Sequence, residues 1–213
     1  MPNKIHRLML IALIAIVGAS SAPILGQQKS RTDLYTRAKS TGGKFVWRYR
    51  PTRSVVYPNL EELAKRSDAV LVGRALGHRS NLTADGKFIT QDFLVRVQEV
   101  FKGDLKNGNS ITISLPGGSH KFKDGTRVHV MPADYTQAQD GGSYVFFLKD
   151  SRRSLNKGYR LTSEIQGLFA FKDGRVEPAY GVASDPMVMK YQGMAAKTFL
   201  AHLHAALPSK DRK

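Results

Sequence analysis

From Ala69 to Val176 the sequence is a succession of short apolar runs cut by glycine-rich turns, and no helical periodicity of any length interrupts them. Ala69-Val70-Leu71-Val72-Gly73-Arg74 opens the series, and Asp85-Gly86 is a tight-turn signal ahead of Lys87–Lys102. Within that segment Phe93, Val95 and Val97 alternate with Leu94, Arg96 and Gln98, so one face is apolar. The alternation breaks at Glu99-Val100-Phe101, which predicts a β-bulge. Ile111, Ile113 and Leu115 alternate with Thr112 and Ser114 until Pro116-Gly117-Gly118 stops the strand, and Val128 and Val130 alternate with Arg127 and His129. Tyr144–Leu148 is continuously apolar after Gly141-Gly142, the pattern of a strand covered on both faces. Gly158–Leu161 and Leu168–Phe171 follow, and Asp173-Gly174 turns the chain toward Val176. Strands this short and this closely spaced predict an antiparallel barrel or sandwich.

Two helices are expected to flank the strands. Asn59 is the N-cap of a short one, with Glu61 and Glu62 in its first turn and Lys65 and Arg66 in its last, a charge order that complements the helix dipole. At the other end Tyr191, Met194, Ala195, Thr198, Phe199, His202, Leu203, Ala206 and Leu207 fall at helical spacing. They predict one amphipathic helix over 190–207, packed on the barrel and ended by Pro208. Its polar side is not densely basic, so its stripe reads as core packing rather than a membrane face.

The amino terminus reads as an address. Lys4 and Arg7 precede the apolar run Leu8–Ala19, and small residues follow in Ala19-Ser20-Ser21-Ala22, the three regions of a secretory signal peptide. Pro23 disfavours a cut after Ala22, leaving cuts after Ser21 or Gly26 open; an uncleaved anchor over Leu8–Leu25 ranks below export. No other stretch is long and apolar enough to span a bilayer. The expected layout is a signal peptide over 1–26, a basic flexible arm over 27–54, the barrel over 55–189, the helix over 190–207 and a disordered tail over 208–213. The expected location is the periplasm or the extracellular space.

The formal net charge of +16 is carried by the flanks. Residues 29–66 hold ten basic against three acidic residues and residues 149–213 twelve against six, whereas residues 67–148 are nearly neutral, with nine against eight. The stretch from Gln27 to Arg53 is polar and basic apart from Phe45, Val46, Trp47 and Tyr49, too little apolar surface to offset ordering entropy by itself. Arg48, Arg50 and Arg53, with Arg152 and Arg153, are the candidate contacts to an anionic ligand.

The chemistry-bearing residues do not assemble by spacing. With no cysteine in the chain, disulfides, thiolate metal sites and a cysteine nucleophile are excluded. His202 and His204, two apart on a helix, point away from each other. His120 and His129, with Asp124 or Asp134, are the residual metal-ligand set and carry the alternative reading of a metal-dependent envelope hydrolase. Ser119-His120 reads as a turn rather than a nucleophile and base, and Asp92, Glu99, Asp104 and Glu164 are scattered. Asn81-Leu82-Thr83 matches a glycosylation sequon. No phosphate-cradling glycine loop occurs, and neither a cofactor nor a resident metal is expected.

Three blocks resemble a known family. Ser67-Asp68-Ala69-Val70-Leu71-Val72-Gly73-Arg74, Phe93–Gly103 with its Val97-x-x-Val100-x-Lys102-Gly103 end, and Gly141-Gly142-Ser143-Tyr144-Val145-Phe146-Phe147-Leu148 are similar to strands of netrin-like domains. These include the tissue inhibitors of metalloproteinases and many secreted bacterial proteins. The resemblance spans about residues 67–148 and implies an OB-like barrel with a helix packed at an end. It does not bring protease inhibition with it, because that mechanism places an N-terminal cysteine on the protease metal. The function expected is therefore that of a secreted, non-enzymatic binding module for a protein partner or an anionic envelope polymer. An OB-type nucleic-acid binder ranks last, because Phe93 and Tyr144 read as core-facing.

Overall fold

The computed structural model describes residues 32–50, 55–133, 138–151, 158–179 and 185–207. The expected leader and C-terminal tail lie outside these residues, as do Arg53, Asp134, Arg152 and Arg153. In chain order the elements are α1 (Leu34–Ser40), β1 (Lys44–Tyr49), α2 (Leu60–Arg66), β2 (Ala69–Leu82), β3 (Ile89–Lys102), β4 (Ser110–Pro116) and β5 (Gly118–Lys121). They continue with β6 (Arg127–Pro132), β7 (Ser143–Asp150), β8 (Tyr159–Leu161), β9 (Leu168–Lys172), β10 (Arg175–Pro178), α3 (Pro186–Tyr191) and α4 (Ala196–Ala206).

Five strands close on themselves. β7, β2, β3 and β4 are successive antiparallel neighbours, and β8 joins the two ends by pairing with both β4 and β7. The fold is thus mainly β, a barrel-like fold with flanking helices, as the strand pattern predicts. One pairing departs from the expected antiparallel order: β4 and β8 run parallel, with Ile113 opposite Tyr159 and Ser114 opposite Arg160. The reason is geometric. Five strands in a ring cannot alternate direction all the way round, so one neighbouring pair must agree.

The predicted bulge is present. Val70 pairs with Lys102 but Leu71 with Val100, and Val72 pairs with Glu99 but Gly73 with Val97, so Phe101 and Gln98 are the extra residues of β3. A further irregularity between Ala75 and Gly77 leaves Leu76 as an extra residue on β2, 48% exposed.

The core has three parts. Inside the barrel lie Leu71, Phe93, Val95, Ile113, Leu115, Phe146 and Leu148. The other face of β7 presents Val145 and Phe147 to a second layer, where Leu60, Leu63, Tyr191, Phe199 and Leu203 bring in α2, α3 and α4. Continuous apolarity in Tyr144–Leu148 is thereby explained, because β7 is covered on both sides. Asn59 caps α2 as expected, its side chain accepting the Glu62 N–H at 2.9 Å.

The single C-terminal helix predicted over 190–207 is instead two helices, α3 and α4, separated at Gln192–Ala195. Gly193 takes a left-handed conformation (φ +75°) that ends α3. The break is then held by β10: the Gly193 N–H donates to the Val176 carbonyl, the Val176 N–H donates to the Met194 carbonyl, and Ala195 bridges to Arg175.

The largest departure falls on the expected flexible arm. Over 32–50 the chain forms α1 and β1, and β1 pairs in parallel with β6 in a second, three-stranded sheet of order β1-β6-β5. Leu34, Ala38, Tyr49, Ile89, Val128 and Val130 form a third buried cluster, with Phe45, Trp47 and Phe88 against it. The aromatics interleaved with the basic residues of β1 supply apolar surface, and β5, β6 and the β2–β3 hairpin supply what covers it. Ordering entropy is offset by distant partners rather than by the segment's own composition.

Candidate anion-binding face

The strands of the second sheet alternate, so burying one face fixes the other. Phe45, Trp47 and Tyr49 on β1, with Val128 and Val130 on β6, point to the third core cluster. Lys44, Val46 and Arg48, Arg127, His129 and Met131, and Ser119 and Lys121 therefore share the opposite face. The register aligns them in rows. Lys44 is opposite Arg127, and Arg127 is opposite Lys121. In the next row on this face Val46 is opposite His129, and His129 opposite Ser119.

Three cations in one cross-strand row repel one another; like charges directly opposite cost about 0.2–1 kcal/mol per pair. Among the described residues no contact compensates that repulsion. Among the described residues the side chains of Lys44, Arg48, Lys121 and Arg127 make no hydrogen bond or ion pair, and no acidic residue stands on the three strands. A local arrangement that costs stability and gains no contact is the usual mark of a functional surface. Arg50 follows directly after β1 and is exposed.

The carboxylate beside this sheet is engaged elsewhere. Asp124, in the β5–β6 turn, accepts from Lys39 Nζ at 2.8 Å, from the Tyr35 hydroxyl at 3.0 Å and from the Thr126 N–H at 3.0 Å. The Lys39 ammonium, followed by the Thr126 N–H, holds its carboxyl well below the usual carboxylate range. Asp124 fastens α1 to the sheet and does not neutralise the basic row.

Of the five arginines expected to meet an anion, the structure brings Arg48 onto the basic face and places Arg50 at its edge; Arg53, Arg152 and Arg153 lie outside the described residues. Lys121 and Arg127 were not readable as partners of Arg48. They belong to the nearly neutral middle of the chain, and only the parallel β1–β6 pairing brings them beside it. The alternation of Arg127 and His129 with Val128 and Val130 was the available signal that these side chains share an exposed face.

His120 and His129 do not form a metal site. His120 pairs with Val128 and turns to the buried side, its ring 4.6 Å from that of Phe122, while His129 is on the basic face with its Nδ1 2.6 Å from Ser119 Oγ. Opposite faces of one sheet cannot ligate one ion, and among the described residues no three His, Asp or Glu side chains cluster as ligands. Ser119 and His120 are strand residues rather than turn residues, because β5 resumes directly after Gly117. Asn81 of the sequon is on β2 and donates to Asp92, which also accepts from Ser114. Phe93 and Tyr144 are buried, as predicted. Among the described residues the exposed large apolar side chains include one aromatic, Tyr35, and it lies on α1 rather than on a strand.

The three family-like blocks fall on β7, β2 and β3, consecutive strands of the barrel with β2 in the middle, and their characteristic residues make contacts that hold it together. Asp68 accepts from Lys149 Nζ and from the Asp150 N–H, both at 3.0 Å. Lys102 Nζ donates to the Ala64 and Lys65 carbonyls, capping α2. Gly103 adopts φ +96°, where a Cβ would stand 2.9 Å from the Asp68 carbonyl oxygen. The Tyr144 hydroxyl accepts the Gln139 N–H at 2.7 Å and secures the loop before β7. These residues hold the barrel together rather than form a ligand site. No protein-family model matches the chain, and neither does any curated protein.

Proposed function

We propose that the chain is an exported, non-enzymatic binding module that holds an anionic polymer of the cell envelope on the basic face of the β1-β6-β5 sheet. The observation that carries this reading is the row Lys44, Arg127 and Lys121, with Arg48 on the same face, none of them neutralised by the described residues. An extended face with charges spaced along and across strands suits a polyanion better than a small ligand, because its cations are distributed over three strands rather than gathered at one point. Export rests on the pattern of Lys4, Arg7, Leu8–Ala19 and Ala19–Ala22; among the described residues no helix is long and apolar enough to cross a membrane. Netrin-like kinship belongs to the same reading and rests on the three sequence blocks.

Heparin, a soluble sulfated polysaccharide, is a suitable probe. Affinity measured from low to moderate salt is expected to fall steeply, since screening weakens binding driven by exposed charges. Affinity that does not change over that range overturns the reading.

A further inference from the structure

A second cationic feature lies on the barrel itself. Arg74 on β2 and Arg96 on β3 are directly opposite each other and both exposed, between the inward-facing Ala75, Val95 and Val97. The row continues outward to Ser143 on β7 and Ser110 on β4, which are uncharged. The two arginines line an open cavity of about 430 Å³ together with Ala75, Leu76, Gln98 and Gly141. Among the described residues neither guanidinium has a hydrogen bond or an ion pair. Two positions along β2 from Arg74, Glu99 stands opposite Val72 and pairs with neither arginine; Asp140, next to Gly141, is bonded to His78 at 2.8 Å.

The irregularities of the ladder shape this cavity. Gln98 and Leu76 are both extra residues, one on each strand, and bulges of this kind re-aim side chains. Leu76 is 48% exposed and Leu94, opposite Gly77 in the next outward row, is 46% exposed. At Gly141 (φ +82°) nothing lies within 4 Å of where a Cβ would stand, so the backbone there leaves open space above it. The result is a pair of guanidinium forks with an amide beside them and an apolar wall along one side.

We propose that this cavity binds one tetrahedral dianionic group, a phosphate monoester, with the group's organic substituent against Leu76 and Leu94. The stoichiometry of charge selects the class. One guanidinium fork saturates a carboxylate and leaves the second arginine unpaired, whereas a dianion with three terminal oxygens accepts from both forks and offsets both charges. Gln98 adds a neutral donor at the same place. The site is separate from the basic face of the β1-β6-β5 sheet, so either can fail without the other.

The test is an NMR titration of the ¹⁵N-labelled full-length chain at constant ionic strength with inorganic phosphate, phenyl phosphate and acetate, followed by vesicles of phosphatidylcholine doped with phosphatidic acid. The proposal expects saturable shifts confined to residues 74–77, 94–98 and 141–143, phenyl phosphate tighter than inorganic phosphate, and acetate without a saturable effect. Arg74→Gln and Arg96→Gln are each expected to weaken phenyl phosphate by about tenfold or more, the usual consequence of losing a charge-assisted hydrogen bond. Their spectra away from the cavity should be unchanged, and heparin binding should persist in both. Binding of the doped vesicles at these residues identifies the monoester as a lipid headgroup; binding of phenyl phosphate without the vesicles identifies a soluble or polymer-borne one. Acetate binding as tightly as phosphate, or phosphate shifts that survive in both variants, overturns the proposal.

Discussion

Arg127 stands between Lys44 and Lys121 and makes no compensating contact among the described residues, so removing its charge should help the fold while harming the face. Arg127→Gln is expected to raise stability in urea by about 0.5 kcal/mol, the scale of one cross-strand like-charge contact, and to lower heparin affinity at the same time. Unchanged or lower stability would show that the repulsion is relieved within the protein. Asp124 behaves in the opposite sense. Its folded pKa is depressed, chiefly by Lys39, so the stability it contributes is present above the ordinary carboxylate pKa of about 3.9 and is lost as pH falls through the depressed folded value. Asp124→Asn should therefore melt below the parent chain at neutral pH, and the two melting curves should converge under strong acid. A gap that stays constant from neutral to acid pH would assign Asp124 a role other than its charge.

Among the elements, those whose pattern has a period and whose partners are near in sequence were legible. β2, β3, β4, β7 and α2 stand where alternation, turn residues and the Asn59 cap place them. β1 was hidden because Lys44 and Arg48 make its composition basic, although Phe45, Trp47 and Tyr49 already alternate with Lys44, Val46 and Arg48. What decides it is burial against β6, some 80 residues away in the chain, and no local signal carries that pairing. The closure through three-residue β8 was out of reach for the same reason. At the C terminus the helical spacing continued through Gly193, and contacts with β10 broke the helix there. Two substitutions check the packing so described. Phe199→Ala, in the fully buried layer between α4 and the barrel, should cost about 3–5 kcal/mol in urea unfolding. Gly103→Ala should cost about 1–3 kcal/mol, because φ +96° and the nearby Asp68 carbonyl both oppose a Cβ. A loss under about 1 kcal/mol at position 199 would mean that α4 is not part of the cooperative core.

For the whole molecule, the five-stranded ring fixes where charge can gather. Its interior and its α2–α3–α4 side are apolar, and the three-stranded sheet built from chain on either side of the barrel's first strands offers a face left exposed by the described residues. Bringing β1 onto β6 turns a charge surplus of the N-terminal flank into a surface feature, by adding Lys44 and Arg48 to Arg127 and Lys121. The candidate site was thus half legible: its basic character showed in the charge split, and its geometry came only with the pairing. The most direct measurement is the dependence of heparin affinity on salt concentration for the parent chain and for a Lys44→Gln, Arg127→Gln, Lys121→Gln triple variant. Counterion release predicts that the slope of log affinity against log salt becomes shallower by roughly 2 to 3 in the triple variant, as three cations leave the contact. Equal slopes for the two proteins would contradict binding through the β1-β6-β5 face.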